Sequence, residues 1–407
     1  MERRFALRRQ VAGLRARRRQ PQITLATVWL SVFAMFALRL PSFNALEEDL
    51  RRRRGWARWV GQRRLPSADT VGRVLAGAVL EDQRALLISL GRRAWRAKAI
   101  HGRQGETYRV VAVDGHELWA SRARCCAECL IREVTVGDAT VREYYHRIVV
   151  AQWVGVTPPA IVDLERIRPG EGEVVAARRL VTRLLSRAGR LVDVITADAL
   201  YLEAPFIDLV LAAGKHVVVV MKQEARDLYQ DAARLRALQP PQVLADGPRT
   251  TRLWDLLELE SFATLHRRVR VVWAEEQTVR HRRVGGVNRE VVESGEWVWV
   301  TDLPPGVVLA AKIQQWGHDR WDVENRGFNE LATLWHMDHC FVHEPTAIEA
   351  LLLTLSAAFL LTYLFYDRNL KLGEHRPRTR LALAARLREE FALLTSTMLW
   401  PEVQRSD

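Results

Sequence analysis

Two widespread catalytic motifs are missing from the 407-residue chain. It contains no Gly-rich phosphate-binding loop, so the sequence gives no support for an ATP-driven mechanism. It also lacks the Gly-x-Ser-x-Gly turn that exposes a nucleophilic serine, which leaves acyl transfer without support. The chemistry of the chain must therefore rest on other residues.

Membrane-spanning runs are also lacking. The apolar stretches 23–38 and 350–366 contain Thr and Ser and fall short of the roughly 20 residues that a span needs. The first imitates a signal peptide after a basic run, but no small-residue cleavage site precedes Arg39. Because helices that are apolar on all sides also occur inside large soluble proteins, we predict two buried helices and a cytoplasmic protein with no membrane partner.

Cysteine is scarce, with four residues, of which three cluster as Cys125, Cys126 and Cys129. A cytosolic protein does not favour disulfides. Cys126 and Cys129 have the two-residue gap of a zinc knuckle, but no second Cys pair follows. The segment 336–343, which contains Cys340 and three His, could supply further ligands if it meets this cluster. Zinc ligands and reduced structural thiols are both open interpretations.

Positive charge is what the chain has in excess. Lys and Arg total 61 against 48 Asp and Glu, which gives a net charge of +13. Arg outnumbers Lys about elevenfold, a skew that a GC-rich genome would also produce. Whatever its origin, the positive sum attracts phosphate groups and favours a nucleic-acid partner.

Three carboxylates carry the chemical signal. Asp114 ends a β-branched run just before Gly115, and Asp198 ends a second apolar run, so both are expected at strand ends. Glu324 lies four residues after Arg320, which places the two on one face of a predicted helix. This oxygen-only set suits two Mg²⁺ ions that clamp a phosphodiester. Each motif alone equally fits an ordinary turn or a solvated helix pair.

The surroundings of these residues resemble those of bacterial DDE transposases of the cut-and-paste insertion-sequence type. The matching pieces are Ala112-Val-Asp114-Gly115, Asp198-Ala-Leu-Tyr201, and Arg320 followed by Glu324 and Asn325. The resemblance spans roughly residues 109–341, over half of the chain. The family signature around the glutamate also has a Tyr and a Lys, whose positions hold Gly317 and Leu331 here.

The resemblance implies an α/β, RNase H-like core and an enzyme that cleaves and transfers DNA strands. Asp114, Asp198 and Glu324 would hold two Mg²⁺ ions, with Mn²⁺ as a substitute, and Arg320 would contact the transposon-end phosphate. The implied partners are terminal inverted repeats and target DNA, bound by a homodimer in a synaptic complex on the bacterial nucleoid. Two alternatives remain: an inactive, domesticated DNA-binding protein, and an RNase H-like metal-dependent nuclease.

The pattern along the chain predicts a mixed sheet with flanking helices. We expect a basic helical region at 1–99, the first part of the core at 100–222, a β-rich insertion at 223–311, the catalytic helix at 312–345 and a C-terminal helical region at 346–407. Strands are expected at 109–114, 116–119, 144–153, 160–164, 192–197 and 216–221, with helices at 174–185 and 204–213.

Two of these regions carry candidate DNA contacts. In the N-terminal region, Ser67 should be the N-cap of a short basic helix. This helix belongs either to a helix-turn-helix-like DNA-binding module or to a helical region with a purely structural role. In the insertion, Trp297 and Trp299 alternate onto one sheet face. In the family, Trp at this point stacks on an extruded base, so both are DNA-binding candidates; the alternative is that they pack a small sheet.

Overall fold

The computed structural model describes residues 2–17, 21–52, 55–222, 224, 226–284, 287–370 and 376–393. The N-terminal part of the chain is helical, as its pattern predicts. The helices described before the first strand are α1 (Glu2–Phe5), α2 (Leu7–Ala12), α3 (Leu25–Ala37), α4 (Phe43–Arg52), α5 (Gly55–Val60), α6 (Ala68–Ala76) and α7 (Leu80–Arg96).

Hydroxyl side chains cap the start of three of these helices; before α4, Ser42 Oγ accepts a hydrogen bond from the Ala45 amide at 3.1 Å. Thr24 Oγ1 accepts a hydrogen bond from the Thr27 amide at 3.2 Å, and Ser67 Oγ accepts one from the Thr70 amide at 3.3 Å. Each bond satisfies a backbone donor that the first helical turn leaves without a partner, which is worth about 1 kcal/mol. The predicted N-cap role of Ser67 is confirmed.

The rest of the chain contains both strands and helices. The strands are β1 (His101–Gly102), β2 (Val110–Ser121), β3 (Leu130–Val136), β4 (Ala139–Trp153), β5 (Val156–Thr157), β6 (Ala160–Arg166), β7 (Val194–Ala197), β8 (His216–Val220), β9 (Gln242–Asp246), β10 (Arg249–Leu259), β11 (Val269–Val284) and β12 (Val287–Thr301). The helices are α8 (Glu173–Ala188), α9 (Ala204–Ala212), α10 (Asp227–Ala237), α11 (Ala310–Asp319), α12 (Asn329–Trp335), α13 (Pro345–Arg368) and α14 (Arg380–Leu393), with a π-helical segment at Val323–Phe328.

Among the described residues, ten strands form one mixed sheet. Its centre has the order β6-β4-β2-β7-β8, in which β6, β4 and β2 are antiparallel and β2, β7 and β8 are parallel. Helix α8 follows β6, and α9 connects β7 to β8. This mixed sheet with flanking helices confirms the predicted α/β, RNase H-like fold class.

Three strands differ clearly from the prediction. The pieces expected at 109–114 and 116–119 form the single strand β2, which continues through the predicted break at Gly115 and has a register shift between Glu117 and Trp119. Strand β3 was not expected; none of its residues is fully buried, and Arg132, Glu133 and Thr135 interrupt its apolar residues. Strand β4 begins five residues before the predicted start at 144, since it pairs with β3 over that part.

The β-rich insertion continues the central sheet. Strand β12 pairs antiparallel with β8, with Trp299 opposite Val220, and β11, β10 and β9 follow outward. Valine-rich β8 is therefore hydrogen-bonded on both sides, to β7 and to β12. The insertion therefore extends the sheet next to the elements that carry the candidate site.

Helix α13 is the most deeply buried long element described. It packs against α3, α6, α7 and β6, so the N-terminal helices and the sheet share its surface. Its hydroxyls are satisfied locally: Thr354 donates to the Ala350 carbonyl and Ser356 to the Leu352 carbonyl, both at 2.8 Å. Its one buried carboxylate near the start, Glu349, pairs with Arg84 of α7 and with Arg166 of β6.

Both predicted apolar stretches are buried helices. By length and composition alone, α13 could cross a membrane, but 94% of its most apolar window is buried inside the protein. The shorter α3 is buried along nearly its whole length. A helix that packs on all sides within a protein needs apolar residues on all sides, which explains the composition of both.

The packing of α13 predicts a large cost for truncating Phe359. Its ring is fully buried and meets Trp335 of α12 edge-on, with centroids 5.4 Å apart. Phe359→Ala should lower the free energy of unfolding by about 3–5 kcal/mol, because it leaves a cavity. Thermal or denaturant unfolding measures this, with Leu381→Ala, at a half-exposed position, as the control. Equal stability of the two variants would contradict the buried placement of α13.

Candidate active site

Strand pairing places the two candidate aspartates side by side. Val113 of β2 lies opposite Ala197 of parallel β7, so the next residue of each chain segment is Asp114 or Asp198. Asp114 Oδ1 accepts the Gly115 amide, and Asp198 Oδ1 accepts the Leu200 amide, both at 2.9 Å. These local bonds orient both carboxylates beside the end of β7. Asp198 follows a strand end as predicted, whereas Asp114 lies within β2, because β2 continues through Gly115 to Ser121 and pairs with β4 there.

Arg320 joins Glu324 to Asp114. Its Nη1 donates to Asp114 Oδ2 at 2.8 Å and to Glu324 Oε1 at 3.2 Å. Arg320 is only 3% exposed, whereas the Glu324 side chain is 41% exposed. The structure therefore brings Asp114, Arg320 and Glu324 into direct contact. The pairing of β2 with β7 places Asp198 beside Asp114.

Glu324 lies in the π-helical segment, where the sequence pattern predicts an ordinary α-helix. This segment lies flat on the sheet: Gln152 of β4 donates to the Asp322 carbonyl at 3.1 Å. A Cβ atom at residue 327 would overlap the Gln152 side chain, so this contact requires Gly327. Single-turn π segments inside helices are frequent at functional sites.

The carboxylates also share one electrostatic environment. Burial raises the pKa of Asp114 to about 7, the Arg320 guanidinium opposes this rise, and the charges of Asp198 and Glu324 add to it. Three carboxylates near one buried position repel each other and therefore favour a cation among them. Arg320 already supplies positive charge between two of them, and the oxygen-only donor set fits a hard divalent ion.

A comparison with protein families bears on this arrangement. The family model for the transposase DDE domain matches residues 169–361, which include Asp198, Arg320 and Glu324. The chain carries a transposase DDE domain. This match supports a DNA-acting transposase, and the matched family generally uses divalent metal ions. Asp114 lies before the matched residues, and strand pairing brings it to this transposase domain. No curated protein matches the chain.

A second set of polar groups, which the sequence interpretation missed, supports the strand that carries Asp114. Glu173, at the start of α8, accepts the Tyr201 hydroxyl at 2.8 Å and pairs with Arg147 of β4. A Cβ atom at residue 115 would overlap the Glu173 carboxylate, so only glycine fits beside Asp114. The Gly115 position was the one signal in the sequence for this close approach.

The two candidate tryptophans differ in exposure. Trp299 is fully buried, and its ring stacks on Trp297 with centroids 6.3 Å apart and planes 11° apart. A Cβ atom at residue 317 would overlap the Trp299 indole, which explains glycine where the family signature has Tyr. Trp299 thus offers no free ring face, whereas Trp297 is half-buried and meets Trp321 edge-on.

The raised pKa of Asp114 predicts a pH-dependent effect of Asp114→Asn. In metal-free protein the variant should melt at a higher temperature at about pH 8, where the wild-type carboxylate is buried and charged. The gain should shrink as the pH falls below about 7, because the wild-type side chain then takes up a proton in the folded state. Melting curves in chelator from about pH 8 to pH 5 test this.

The exposed Asp138→Asn, at the tip of the β3–β4 hairpin, is the isosteric control and should show no such trend. A melting difference for Asp114→Asn that stays constant over this pH range would contradict the raised pKa.

The close approach at Gly317 predicts a second, specific loss. Gly317→Ala should lower the free energy of unfolding by about 1–3 kcal/mol, because the added methyl group meets the Trp299 ring. Combining it with Trp299→Phe should cost less than the sum of the two single changes, since the smaller ring makes room. Gly306→Ala, where a Cβ meets nothing within 4 Å, is the control. Strict additivity would argue against this contact.

Proposed function

We propose that the chain is a DNA transposase that cuts and joins DNA at the ends of an insertion sequence through Asp114, Asp198 and Glu324. The observation that carries the proposal is their convergence: the pairing of β2 with β7 and the Arg320 bridge collect three carboxylates beside the end of β7. The family match supports the same chemistry. The sequence therefore has the parts of a DDE triad in the order and context that such an enzyme needs.

These three residues would hold two Mg²⁺ ions, or Mn²⁺ in their place. Bound there, the ions would supply the Lewis acidity that in-line displacement at phosphorus requires. The backbone amides of Gly115 and Leu200 hold one oxygen of each aspartate and leave the other directed into the site. Glu324, whose side chain is 41% exposed, closes the set from the helical side.

Arg320 is proposed to hold the phosphate at the transposon end. Its planar guanidinium suits a two-point phosphate contact, and it lies against both Asp114 and Glu324. In the metal-free protein the same side chain neutralises the carboxylates. Trp297, with part of its ring exposed, is the proposed stacking residue for a DNA base, and buried Trp299 would support it from behind.

The partners proposed for this enzyme are terminal inverted repeats and target DNA, bound by a homodimer. We propose that 1–99 contributes DNA contacts, that 100–222 and 312–345 form the catalytic core, that 223–311 is the insertion, and that 346–407 is a C-terminal helical region. Exposed arginines such as Arg73, Arg93 and Arg96 on α6 and α7 support a phosphate-binding role for the N-terminal helices.

The proposal predicts that Asp114→Asn, Asp198→Asn and Glu324→Gln each reduce cleavage to the background seen without protein. Each change removes a metal ligand's charge at nearly constant volume, so binding of the terminal repeats should remain. The assay uses Mg²⁺ and a DNA fragment carrying the inverted repeats that flank the gene. Asp138→Asn, on an exposed turn, is the control and should cleave like the wild type.

The products of the wild-type reaction separate the proposal from its alternatives. Cleaved ends joined to a target DNA support a transposase. Hydrolysis without joining would identify a metal-dependent nuclease, and repeat binding without cleavage would identify an inactive DNA-binding protein. Wild-type cleavage by any of the three triad variants would overturn the assigned residues.

A further inference from the structure

Four metal-binding side chains converge at a place separate from the carboxylates. The ligand atoms of Cys126, Cys129, His146 and His343 all lie within 4.8 Å of one another. They come from three parts of the chain: the β2–β3 loop, strand β4, and the segment just before α13. Residues so distant in sequence meet here only because the sheet and α13 bring them together.

The distances within this cluster match the edges of a tetrahedral zinc site. The two sulfur atoms are 3.6 Å apart, and His146 Nε2 lies 3.5 Å from each of them. His343 Nε2 lies 3.6 Å from Cys129 Sγ. Zinc–sulfur bonds of about 2.3 Å and zinc–nitrogen bonds of about 2.0–2.1 Å in a tetrahedron give sulfur–sulfur edges of about 3.8 Å and sulfur–nitrogen edges of about 3.6 Å.

The local backbone prepares the two cysteines for this role. The Cys129 amide donates to the Cys126 carbonyl at 3.2 Å, which closes a tight turn between them. In the same turn the Cys126 amide donates to Cys129 Sγ at 3.2 Å. An amide that points at a sulfur atom stabilises negative charge there, and a metal-bound cysteine is a thiolate.

The composition of the cluster identifies the metal and its role. Two thiolates and two imidazoles in a tetrahedron are a typical ligand set of structural zinc, whereas the carboxylate site has oxygen donors only. Four protein ligands leave no open position for water, so the site is structural and not catalytic. Cys129 and His146 are 4% and 1% exposed, which shields the centre from solvent.

The position of the cluster indicates which parts of the chain a bound metal would connect. In β4, Val150 lies opposite Asp114, and His146 lies four residues before Val150. His146 is therefore roughly 13 Å along the strand from Val150. His343 lies in the segment that follows the Glu324-bearing helices and precedes α13. A metal bound by all four residues would fasten that segment to the β2–β4 pair.

We infer that Cys126, Cys129, His146 and His343 bind one structural Zn²⁺ ion per chain. The ion clamps the segment after the catalytic helices onto the catalytic strands. The other two thiols of the chain are outside this set: Cys125 is exposed, and Cys340 Sγ faces the Val342 carbonyl at 3.9 Å.

Metal analysis of the purified full-length protein tests the inference. The wild type should contain one zinc per chain after extensive dialysis against metal-free buffer. Cys129→Ser and His343→Ala should lose it, while Cys125→Ser and Cys340→Ser, matched thiol controls, should keep it. His343→Cys restores a four-ligand set and should retain zinc even where His343→Ala does not.

Two measurements on the wild type keep the test independent of variant folding. Cobalt replacing zinc should give the intense visible absorption of a tetrahedral, thiolate-bound ion. A zinc-selective chelator should lower the melting temperature, and added zinc should restore it. Zinc well below one per chain in protein produced with ample zinc, or equal losses in the Cys125→Ser and Cys129→Ser variants, would overturn the inference. Neither result depends on DNA cleavage.

Discussion

The parallel pairing of β2 with β7 is the interaction on which the candidate site depends. Register alone sets Asp114 beside Asp198, because Val113 and Ala197 are opposite each other and a carboxylate follows each. A shift of one residue in this pairing would turn one carboxylate to the opposite face of the sheet. The apolar residues that pair between β2 and β7 are all buried and make such a shift costly, so the hydrophobic core also determines the geometry of the polar site.

Three glycines let the neighbouring elements come close enough to complete this geometry. Gly115 makes room for the Glu173 carboxylate, Gly317 for the Trp299 ring and Gly327 for the Gln152 amide. The last two lie just before and just after the Arg320–Glu324 pair, so the segment that carries Glu324 rests directly on the sheet and its insertion. In this chain a tryptophan from the insertion occupies the space that a larger residue at 317 would need.

Much of this could be predicted from the chain itself. Asp114, Asp198 and Glu324 were predicted as site residues because each stands in a local context with a physical meaning: an apolar run followed by an aspartate and a glycine, a second apolar run followed by an aspartate, and a helical pair with Arg320. The burial of α3 and α13 was predicted from the short apolar stretches at 23–38 and 350–366, but α13 is long and apolar enough to cross a membrane, and only its packing shows that it is buried. The π-helical turn around Glu324 and the fused strand β2 could not be predicted, because both result from packing against β4.

The sequence by itself determined the fold class, the positive charge and the acidic motifs, since these depend on local patterns and on composition. It also showed the Cys126–Cys129 spacing and a histidine-rich segment at 336–343. Only the tertiary structure decided that His343 and not Cys340 faces the cysteines, and that His146 completes the cluster. The physical reason is distance along the chain: His146 and His343 are 197 residues apart, and only the pairing of β4 and the docking of α13 bring their rings together.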